Sequence, residues 1–189
     1  ETLPSPLTEN INCIILSGDL DTLQLVNETT KVYFLKKGVK DIMFYTQEAV
    51  KEKYEGLTPS QLIDFKALRG DPADNVPGVL GVGEKTALKL IKEFGTLENL
   101  YSMIELEQQS FSNTTSANIN QRLREKLINY KEQAFLSKFL VQIQCDVPLE
   151  FNLENCFFKK IDKEKINQAF ENFEFYGLIK RINSDEFLR

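Results

Sequence analysis

Short apolar runs dominate the first 57 residues of this chain, and apolar residues at helical spacing dominate the remainder. The short runs are Asn12 to Leu16, Lys31 to Leu35 and Ile42 to Tyr45. Runs of this length predict β-strands, and the continuous first run is typical of a strand buried on both faces of a parallel sheet. The intervening polar and apolar patterns predict short helices at Thr22 to Val26 and Thr46 to Tyr54.

From residue 58 onward the pattern predicts helices. Thr58 and Gln61 form a capping box with proline at the first helical position, so a helix is expected from Pro59 to Leu68, with Lys66 and Arg69 on its exposed side. Polar residues from 105 to 117 predict an exposed loop, and 141 to 151 an extended segment. Further helices are expected at Glu84 to Lys92, Leu97 to Ile104, about Asn118 to Leu140, Lys163 to Phe173 and Tyr176 to Ile182.

These elements predict an α/β part over residues 1–57 followed by an α-helical part over 58–189. The chain of 189 residues has room for one domain or two small ones, and its 42% hydrophobic and 27% charged residues are ordinary for a globular protein. No apolar run approaches the roughly 20 residues of a membrane helix, and the first ten residues lack the pattern of a secretory signal. We therefore expect no membrane association.

The net charge and the cysteine and histidine content limit the kinds of binding and catalysis that this chain can perform. The net charge of -5 argues against a surface that binds nucleic acid everywhere, but it permits a local basic strip. Cys13, Cys145 and Cys156 are widely spaced, which indicates reduced thiols of an intracellular protein. The chain has no histidine, so catalysis by Ser-His or Cys-His pairs is excluded, and chemistry must rest on carboxylates, lysines or hard cations.

Two acidic pairs are candidates for such chemistry. Asp19 and Asp21 follow the first apolar strand, at the end where open α/β sheets place their sites. Asp71 and Asp74 flank a proline turn and lie three residues apart, so both carboxylates would share one face of a helical turn. Each pair also has a structural explanation, because aspartates commonly cap helices and stabilise their N-termini. A phosphatase of the haloacid dehalogenase type is a rival for the first pair, although its motif requires Thr or Val where this chain has Leu23.

A glycine-rich hairpin follows the second pair. Pro77 to Gly83 contains three glycines, which allow positive φ and close approach to a ligand. The helix that follows carries Lys85, Lys89 and Lys92 along one side. Free amides at its start and lysines along its flank predict an anion site. The spacing does not match the phosphate loop of nucleotide hydrolases.

The sequences SGDLDTLQL and RGDPADN, the latter followed by PGVLGVGEKTALKL, resemble bacterial 5′ nucleases: the 5′-to-3′ exonuclease domain of DNA polymerase I and its flap endonuclease relatives. The resemblance extends from the strand at Cys13 to the closing helix, which ends at Ile182. It implies a partial PIN-like α/β sheet followed by a helix-hairpin-helix domain of SAM-like fold. It also implies metal-dependent, structure-specific hydrolysis of DNA in replication and repair.

The resemblance assigns roles to individual residues. Asp19, Asp21, Asp71 and Asp74 match the family's metal-binding, catalytic carboxylates, which implies Mg²⁺ or Mn²⁺ in a two-metal site of the complete domain. The DNA-binding element matches Gly81, Val82, Gly83, Lys85, Thr86 and Lys89. In relatives this hairpin also holds a monovalent cation, which implies K⁺. The implied partner is duplex DNA with a 5′ flap or 5′ end, bound by a cytoplasmic, nucleoid-associated monomer fused to a polymerase.

The sequence also departs from the family pattern. These nucleases begin with a strand ending in Asp, continue through a basic helical arch, and carry a Glu-x-Asp-Asp cluster before the SGDxD strand. None of these features occurs in the chain, so we expect a segment lacking the N-terminal part, which binds DNA but does not cut it. The alternative is a non-catalytic helix-hairpin-helix DNA-binding module in which the aspartates only cap helices.

Overall fold

The computed structural model describes residues 11–36, 41–109, 119–156 and 162–184. Two compact units divide the chain, Glu1–Cys145 and Asp146–Arg189. The boundary expected between residues 57 and 58 falls inside the first unit, so the division into a catalytic part and a DNA-binding part stays a prediction. The expected loop at the N-terminus and the turn after Lys36 lie outside the described residues.

A three-stranded sheet opens the first unit. Its strands are β1 (Cys13–Ser17), β2 (Thr30–Leu35) and β3 (Ile42–Tyr45), in the order β1-β2-β3. β1 runs parallel to β2, with Ile15 opposite Val32, and β3 runs antiparallel to β2, with Tyr45 opposite Val32. A 3₁₀ segment, Leu20–Leu25, makes the crossover from β1 to β2. The three predicted strands are confirmed.

The prediction that the first strand is buried on both faces is wrong. β1 is an edge strand, and Ile14 and Leu16 on its outer face are 58% and 65% exposed. Tyr33 and Phe44 continue this face, with their ring centroids 4.7 Å apart. The inner face carries Ile15, Val32 and Tyr45, which pack with Leu23, Val50 and Leu62. In the part of the chain that the structure describes, helices cover only that inner face.

Eight α-helices follow in the described ranges. Those of the first unit are α1 (Gln47–Lys53), α2 (Gln61–Arg69), α3 (Glu84–Phe94), α4 (Leu97–Gln109), α5 (Gln121–Asn129) and α6 (Lys131–Val141). Thr46 caps α1, and the side-chain oxygen of Gln61 accepts a hydrogen bond from the amide of Thr58 at 3.0 Å, as in a capping box. A core formed mainly by α2, α3, α4 and α5 includes Phe65, Leu90, Leu100 and Leu127.

Two expectations about the helices need correction. α4 continues through Gln109 where a loop was expected from residue 105, because Glu105 and Glu107 pair with Lys131 and Arg124 from later helices. Residues 110–118 lie outside the described ranges. The single long helix expected from 118 to 140 is two helices that meet at Tyr130, where φ is -109° and ψ is 18°.

A tertiary contact stabilises the break at Tyr130. The hydroxyl of Tyr101 donates to the carbonyl of Leu127 at 3.0 Å, which satisfies an acceptor left free at the end of α5. α6 then packs along α2. At its end, the side chain of Gln24 donates to the carbonyl of Val141 at 2.8 Å and accepts from the amide of Ile143. These contacts tie the crossover segment beside the sheet to the helical layer.

The second unit contains α7 (Lys163–Asn172) and α8 (Tyr176–Asn183), after a 3₁₀ segment at Leu153–Cys156. Asp162 caps α7, and the rings of Phe173 and Phe175 stack with centroids 5.7 Å apart. Both predicted helices are confirmed. Across the described residues no helix is long and apolar enough to span a bilayer. All three cysteines are free and exposed.

Candidate metal centre and glycine hairpin

The first acidic pair lies on the turn that leaves β1. The Asp19 carboxylate accepts the amide of Asp21 at 2.8 Å, and the Thr22 hydroxyl donates to the Asp19 carbonyl at 2.6 Å. These bonds begin the 3₁₀ segment, so Asp19 acts as its cap. Asp21, on the first turn of that segment, keeps its carboxylate available for other contacts.

The second acidic pair lies on a closed loop between α2 and the hairpin. Asp71 and Val76 form an isolated antiparallel bridge, with two backbone hydrogen bonds of 2.9 Å. Asp71 accepts the amide of Ala73 at 3.1 Å and caps the 3₁₀ turn Pro72–Asp74. The loop therefore presents Asp71 and Asp74 from a single short turn, as the spacing predicted.

Two glycines close this loop by direct backbone contact. Gly70 and Gly78 have φ of +79° and +62°, and a Cβ on Gly78 would collide with the backbone nitrogen of Gly70. A Cβ on Gly70 would lie 2.7 Å from the carbonyl oxygen of Val76. The close approach requires glycine at both positions, and it joins the acidic loop to the start of the hairpin.

Three of the four predicted carboxylates converge. Asp21, Asp71 and Asp74 each have an oxygen within 4.8 Å of one in the others. Asp19 is not in this group, although it lines the same cavity of about 390 Å³. The cavity joins elements that are separate in sequence: the turn after β1, α2 and the closed loop.

Lys66 is the main cation at this centre. Its ammonium pairs with Asp21 and lies 2.8 Å from Asp71. The residue is only 7% exposed, so the expectation that Lys66 faces solvent is wrong, whereas Arg69 is exposed as predicted. Lys66 turns inward because the two carboxylates neutralise its charge.

The electrostatics of Asp71 follow from this pairing. Partial burial acts to raise the pKa of Asp71, but the hydrogen bond and positive charge of Lys66 outweigh it and hold the pKa below its usual value. Asp71 is therefore ionised at neutral pH.

The donor set at this centre suits a hard cation. Three carboxylates supply oxygen ligands and neither sulfur nor nitrogen ligands, which is the chemistry that Mg²⁺ and Mn²⁺ prefer. In the described residues, no helix cap occupies both carboxylate oxygens of Asp21 or of Asp74. We conclude that the residues present fit a divalent cation.

The hairpin itself is a tight turn that leads into α3. The amide of Val82 donates to the carbonyl of Val79 at 2.9 Å, and Gly81 has φ of +79°. Gly83 is the N-cap of α3, with no side-chain cap bond and open space around it. Because the first amides of α3 lack intrahelical acceptors, they are available to an anion.

The predicted DNA-binding residues have unequal access to a ligand. Lys85, Lys89 and the backbone at Gly81 and Gly83 are exposed, and Thr86 is half-buried. Val82 is 4% exposed, so only its backbone is available.

Two side chains of α6 form hydrogen bonds with the hairpin, and the sequence alone did not predict these contacts. The amide of Gly78 donates to the hydroxyl of Ser137 at 3.0 Å, and the side chain of Gln133 donates to the carbonyl of Gly78 at 2.6 Å. α5 also reaches the hairpin, because Lys126 lies against Gly81. No local signal marks these residues, since their partners lie about 50 residues away along the chain.

The chain has an acidic centre at the end of a parallel strand, and this centre is joined to a glycine hairpin that leads into a lysine-flanked helix. These features define an α/β protein of the helix-hairpin-helix class. Residues 57–164 match the family described as 5′-3′ exonuclease, C-terminal SAM fold. The chain belongs to this family.

Similar full-length proteins are much longer than this chain. It is 41% identical over 171 residues to DNA polymerase I of Bacillus subtilis (strain 168), which covers 90% of this chain and 18% of the relative. It is 40% identical over 176 residues to DNA polymerase I of Bacillus caldotenax, covering 93% of this chain and 19% of the relative. The chain therefore spans about a fifth of the length of these relatives.

Solved structures support the fold. T5 5′-exonuclease with bound zinc aligns with a TM-score of 0.53 and 24% identity, covering 69% of this chain and 42% of that one. The T5 D15 flap endonuclease, in a product complex with DNA and metal ions, aligns with the same TM-score and coverage and 23% identity. The α/β sheet followed by a SAM-like helical region is thus confirmed.

Proposed function

We propose that this chain carries part of the metal centre and the duplex-binding hairpin of a DNA 5′-3′ exonuclease with flap endonuclease activity. The observation that carries the proposal is the convergence of Asp21, Asp71 and Asp74. A DNA-binding module that uses its aspartates only as caps has no need to bring carboxylates from two separate segments together. Family membership and the similarity to DNA polymerases support the same conclusion.

In this proposal Asp21, Asp71 and Asp74 hold Mg²⁺ or Mn²⁺, and Asp19 orients the turn that presents Asp21. A bound divalent cation supplies an activated water and neutralises charge on the phosphodiester that is cut. Before a cation binds, Lys66 pairs with Asp21 and Asp71 and holds the two carboxylates together. Its positive charge also offsets the repulsion that a phosphate would meet from the carboxylates.

The hairpin binds the duplex away from the cut. Its exposed amides at Gly83 and the start of α3 face backbone phosphates, with Lys85, Lys89 and Thr86 as side-chain contacts. Contacts of this kind position DNA without reading bases, so the preference is for a structure, a 5′ end or 5′ flap. Backbone carbonyls of the hairpin would hold K⁺. We place the protein in the cytoplasm with the nucleoid DNA, as a monomeric part of a polymerase.

The test is thermal unfolding with and without Mn²⁺. A cation that binds only the folded chain stabilises it by about 2.7 kcal/mol at a hundredfold excess over Kd, so the melting temperature should rise by several degrees. The variant Asp71→Asn, Asp74→Asn should lose this rise.

The matched control is Glu164→Gln, Glu171→Gln, which removes two exposed carboxylates from α7. This variant should show the same Mn²⁺-induced rise in melting temperature as the native chain. An equal rise in the native chain and the Asp71, Asp74 variant, or none in either, would contradict the proposed metal site and favour the non-catalytic DNA-binding alternative.

A further inference from the structure

A second polar cavity, of about 360 Å³, lies between the hairpin and the start of α5. Its lining residues are Gly81, Thr86, Asn120, Arg122, Leu123 and Lys126. It shares no lining residue with the acidic cavity. Among the described residues, two cations, a hydroxyl and an amide line it and no carboxylate does, so its chemistry favours an anion.

Lys126 is held at the hairpin by packing. The side chain is half-buried, and its ammonium lies so close to Gly81 that a Cβ there would collide with it. Gly81 permits the positive φ of the turn, and the flexible end of Lys126 lies against it.

The charges of Arg122 and Lys126 are not neutralised by the protein in the ranges that the structure describes. Neither residue has an ion pair there, whereas Arg124 on the same helix pairs with Glu107, and Lys131 pairs with Glu105. Glu125 accepts a hydrogen bond from Gln121 at 2.9 Å instead. Two uncompensated cations thus border one cavity.

We propose that this cavity binds a phosphate of the DNA backbone, with Arg122 and Lys126 as its cationic ligands. The proposal rests on the proposed function, because it extends the duplex-binding surface of the hairpin to α5. Arg122 supplies a planar fork that matches phosphate oxygens, and Lys126 supplies a point charge. The hydroxyl of Thr86 and the amide of Asn120 can donate to the remaining oxygens.

With this cavity included, two separate parts of the chain hold the DNA. The hairpin amides come from one continuous segment, whereas the cavity draws on residues about 40 positions later. A phosphate held by both would fix the strand relative to two helices, α3 and α5. Such contacts carry no base information, so the added affinity should be the same for every sequence.

The experiment measures binding of a labelled duplex of mixed sequence by fluorescence anisotropy over a range of salt concentrations. The native chain is compared with Arg122→Gln, Lys126→Gln and the combined variant. If the two residues share one phosphate, the combined variant should bind on the order of tenfold more weakly, and its slope of log K against log salt should fall by about 1. Lys85→Ala serves as the comparison within the hairpin.

The matched control is Lys163→Gln, Lys165→Gln on α7, which makes the same change in net charge. It should keep the native affinity and slope. Equal binding by the combined variant and this control would overturn the proposal and leave the hairpin intact, since Lys85→Ala would still weaken binding. No duplex binding by the native chain would instead overturn the proposed function and this inference with it.

Two further measurements separate loss of DNA binding from loss of folding and from binding of a free anion. If the combined variant melts at a much lower temperature than the native chain, Arg122→Gln decides alone, because Arg122 is exposed and its loss removes no packing. Inorganic phosphate, added at constant ionic strength, tests a free anion as the occupant. If phosphate raises the melting temperature of the native chain but not that of the combined variant, while the two bind the duplex with equal affinity, the cavity belongs to free anions and the proposal is overturned.

Discussion

Lys66 is the residue on which the state of the acidic centre depends. It is buried between Asp21 and Asp71, which come from two segments about 50 residues apart. An ammonium in this position compensates the carboxylates when no metal ion is bound. A divalent cation at the same carboxylates would either share them with Lys66 or take over its role.

We therefore expect Lys66→Met to lower stability without metal and to increase the stabilisation by metal. Loss of the ammonium leaves Asp21 and Asp71 facing each other, at a cost of about 3 kcal/mol. Mn²⁺ then relieves a larger repulsion, so the rise in melting temperature should exceed that of the native chain. Thermal unfolding of both proteins with and without Mn²⁺ measures the difference.

Lys92→Met is the control for this substitution, because Lys92 pairs with Glu55 on the surface, where ion pairs contribute little. It should leave both melting temperatures nearly unchanged. A metal-induced rise of the same size in Lys66→Met and the native chain would show that Lys66 and the cation do not compete.

At this scale the sequence predicted the acidic residues but not their partner. Asp71 and Asp74 share a turn because of local spacing, and Asp21 follows a strand, so both could be deduced from short patterns. Lys66 could not, because on its own helix it falls on the side expected to face solvent. Only the folded chain brings two carboxylates to it. Arg122 and Lys126 were missed for the same reason.

At the scale of elements, α6 forms polar contacts with α2, α4 and the hairpin and so holds them together. Lys138 on α6 lies 2.6 Å from Asp64 of α2 and 2.8 Å from Glu98 of α4. Asp64 is 5% exposed and also accepts the amide of Leu97 at 3.2 Å. A single lysine thus joins three helices.

Lys138→Met should destabilise the fold by about 3 kcal/mol, because it leaves the Asp64 carboxylate buried without its cation. Urea unfolding measures the loss. Glu98→Gln should cost less than about 1 kcal/mol, since its side chain is 54% exposed. Similar costs for the two variants would contradict the importance assigned to Asp64.

The destabilisation by Lys138→Met should depend on pH, and the pKa shifts of the paired groups give its direction. Burial acts to lower the pKa of Lys138, but Asp64 and Glu98 outweigh it and raise the pKa above 10.5. The stabilisation is therefore present below about pH 10.5 and is lost as pH rises through the raised pKa. Burial likewise acts to raise the pKa of Glu98, but Lys138 holds it below 4.5. The difference between native chain and Lys138→Met should therefore also shrink as pH falls through that lowered pKa.

Sequence periodicity was reliable for elements whose boundaries are local and unreliable where tertiary contacts set them. The strands and α7 and α8 were predicted closely. α4 runs past its expected end because of ion pairs with α5 and α6. The helix expected from 118 to 140 divides at Tyr130, where Tyr101 satisfies the free carbonyl of Leu127. Neither contact can be deduced from neighbouring residues.

At the scale of the whole molecule, the described residues supply one group of three converging carboxylates. Two divalent cations about 4 Å apart need more ligands than that. The relatives that share this sequence are about five times as long. The outer face of the sheet, with Ile14 and Leu16 exposed, leaves β1 without a neighbour on its free edge in the described ranges.

We expect the chain by itself to bind a 5′-flap substrate but to cut it very slowly in Mg²⁺. An incomplete ligand set holds the cation loosely, and misplacement of about 1 Å can cost on the order of a hundredfold in rate. Gel analysis of a labelled flap substrate should therefore give the same low rate for the native chain and Asp21→Asn. Robust cleavage that Asp21→Asn abolishes would show that the ligands present are sufficient.

The contact between Gly70 and Gly78 has a genetic consequence. A substitution at either position places a side chain against the backbone of the other segment, so one missense change would disrupt the acidic loop and the hairpin together. No neighbouring side chain can be shortened to make room, because the atoms that an added Cβ would meet belong to the backbone. The two codons therefore behave as one locus under selection, at which the loop that carries Asp71 and Asp74 cannot be changed without also changing the hairpin.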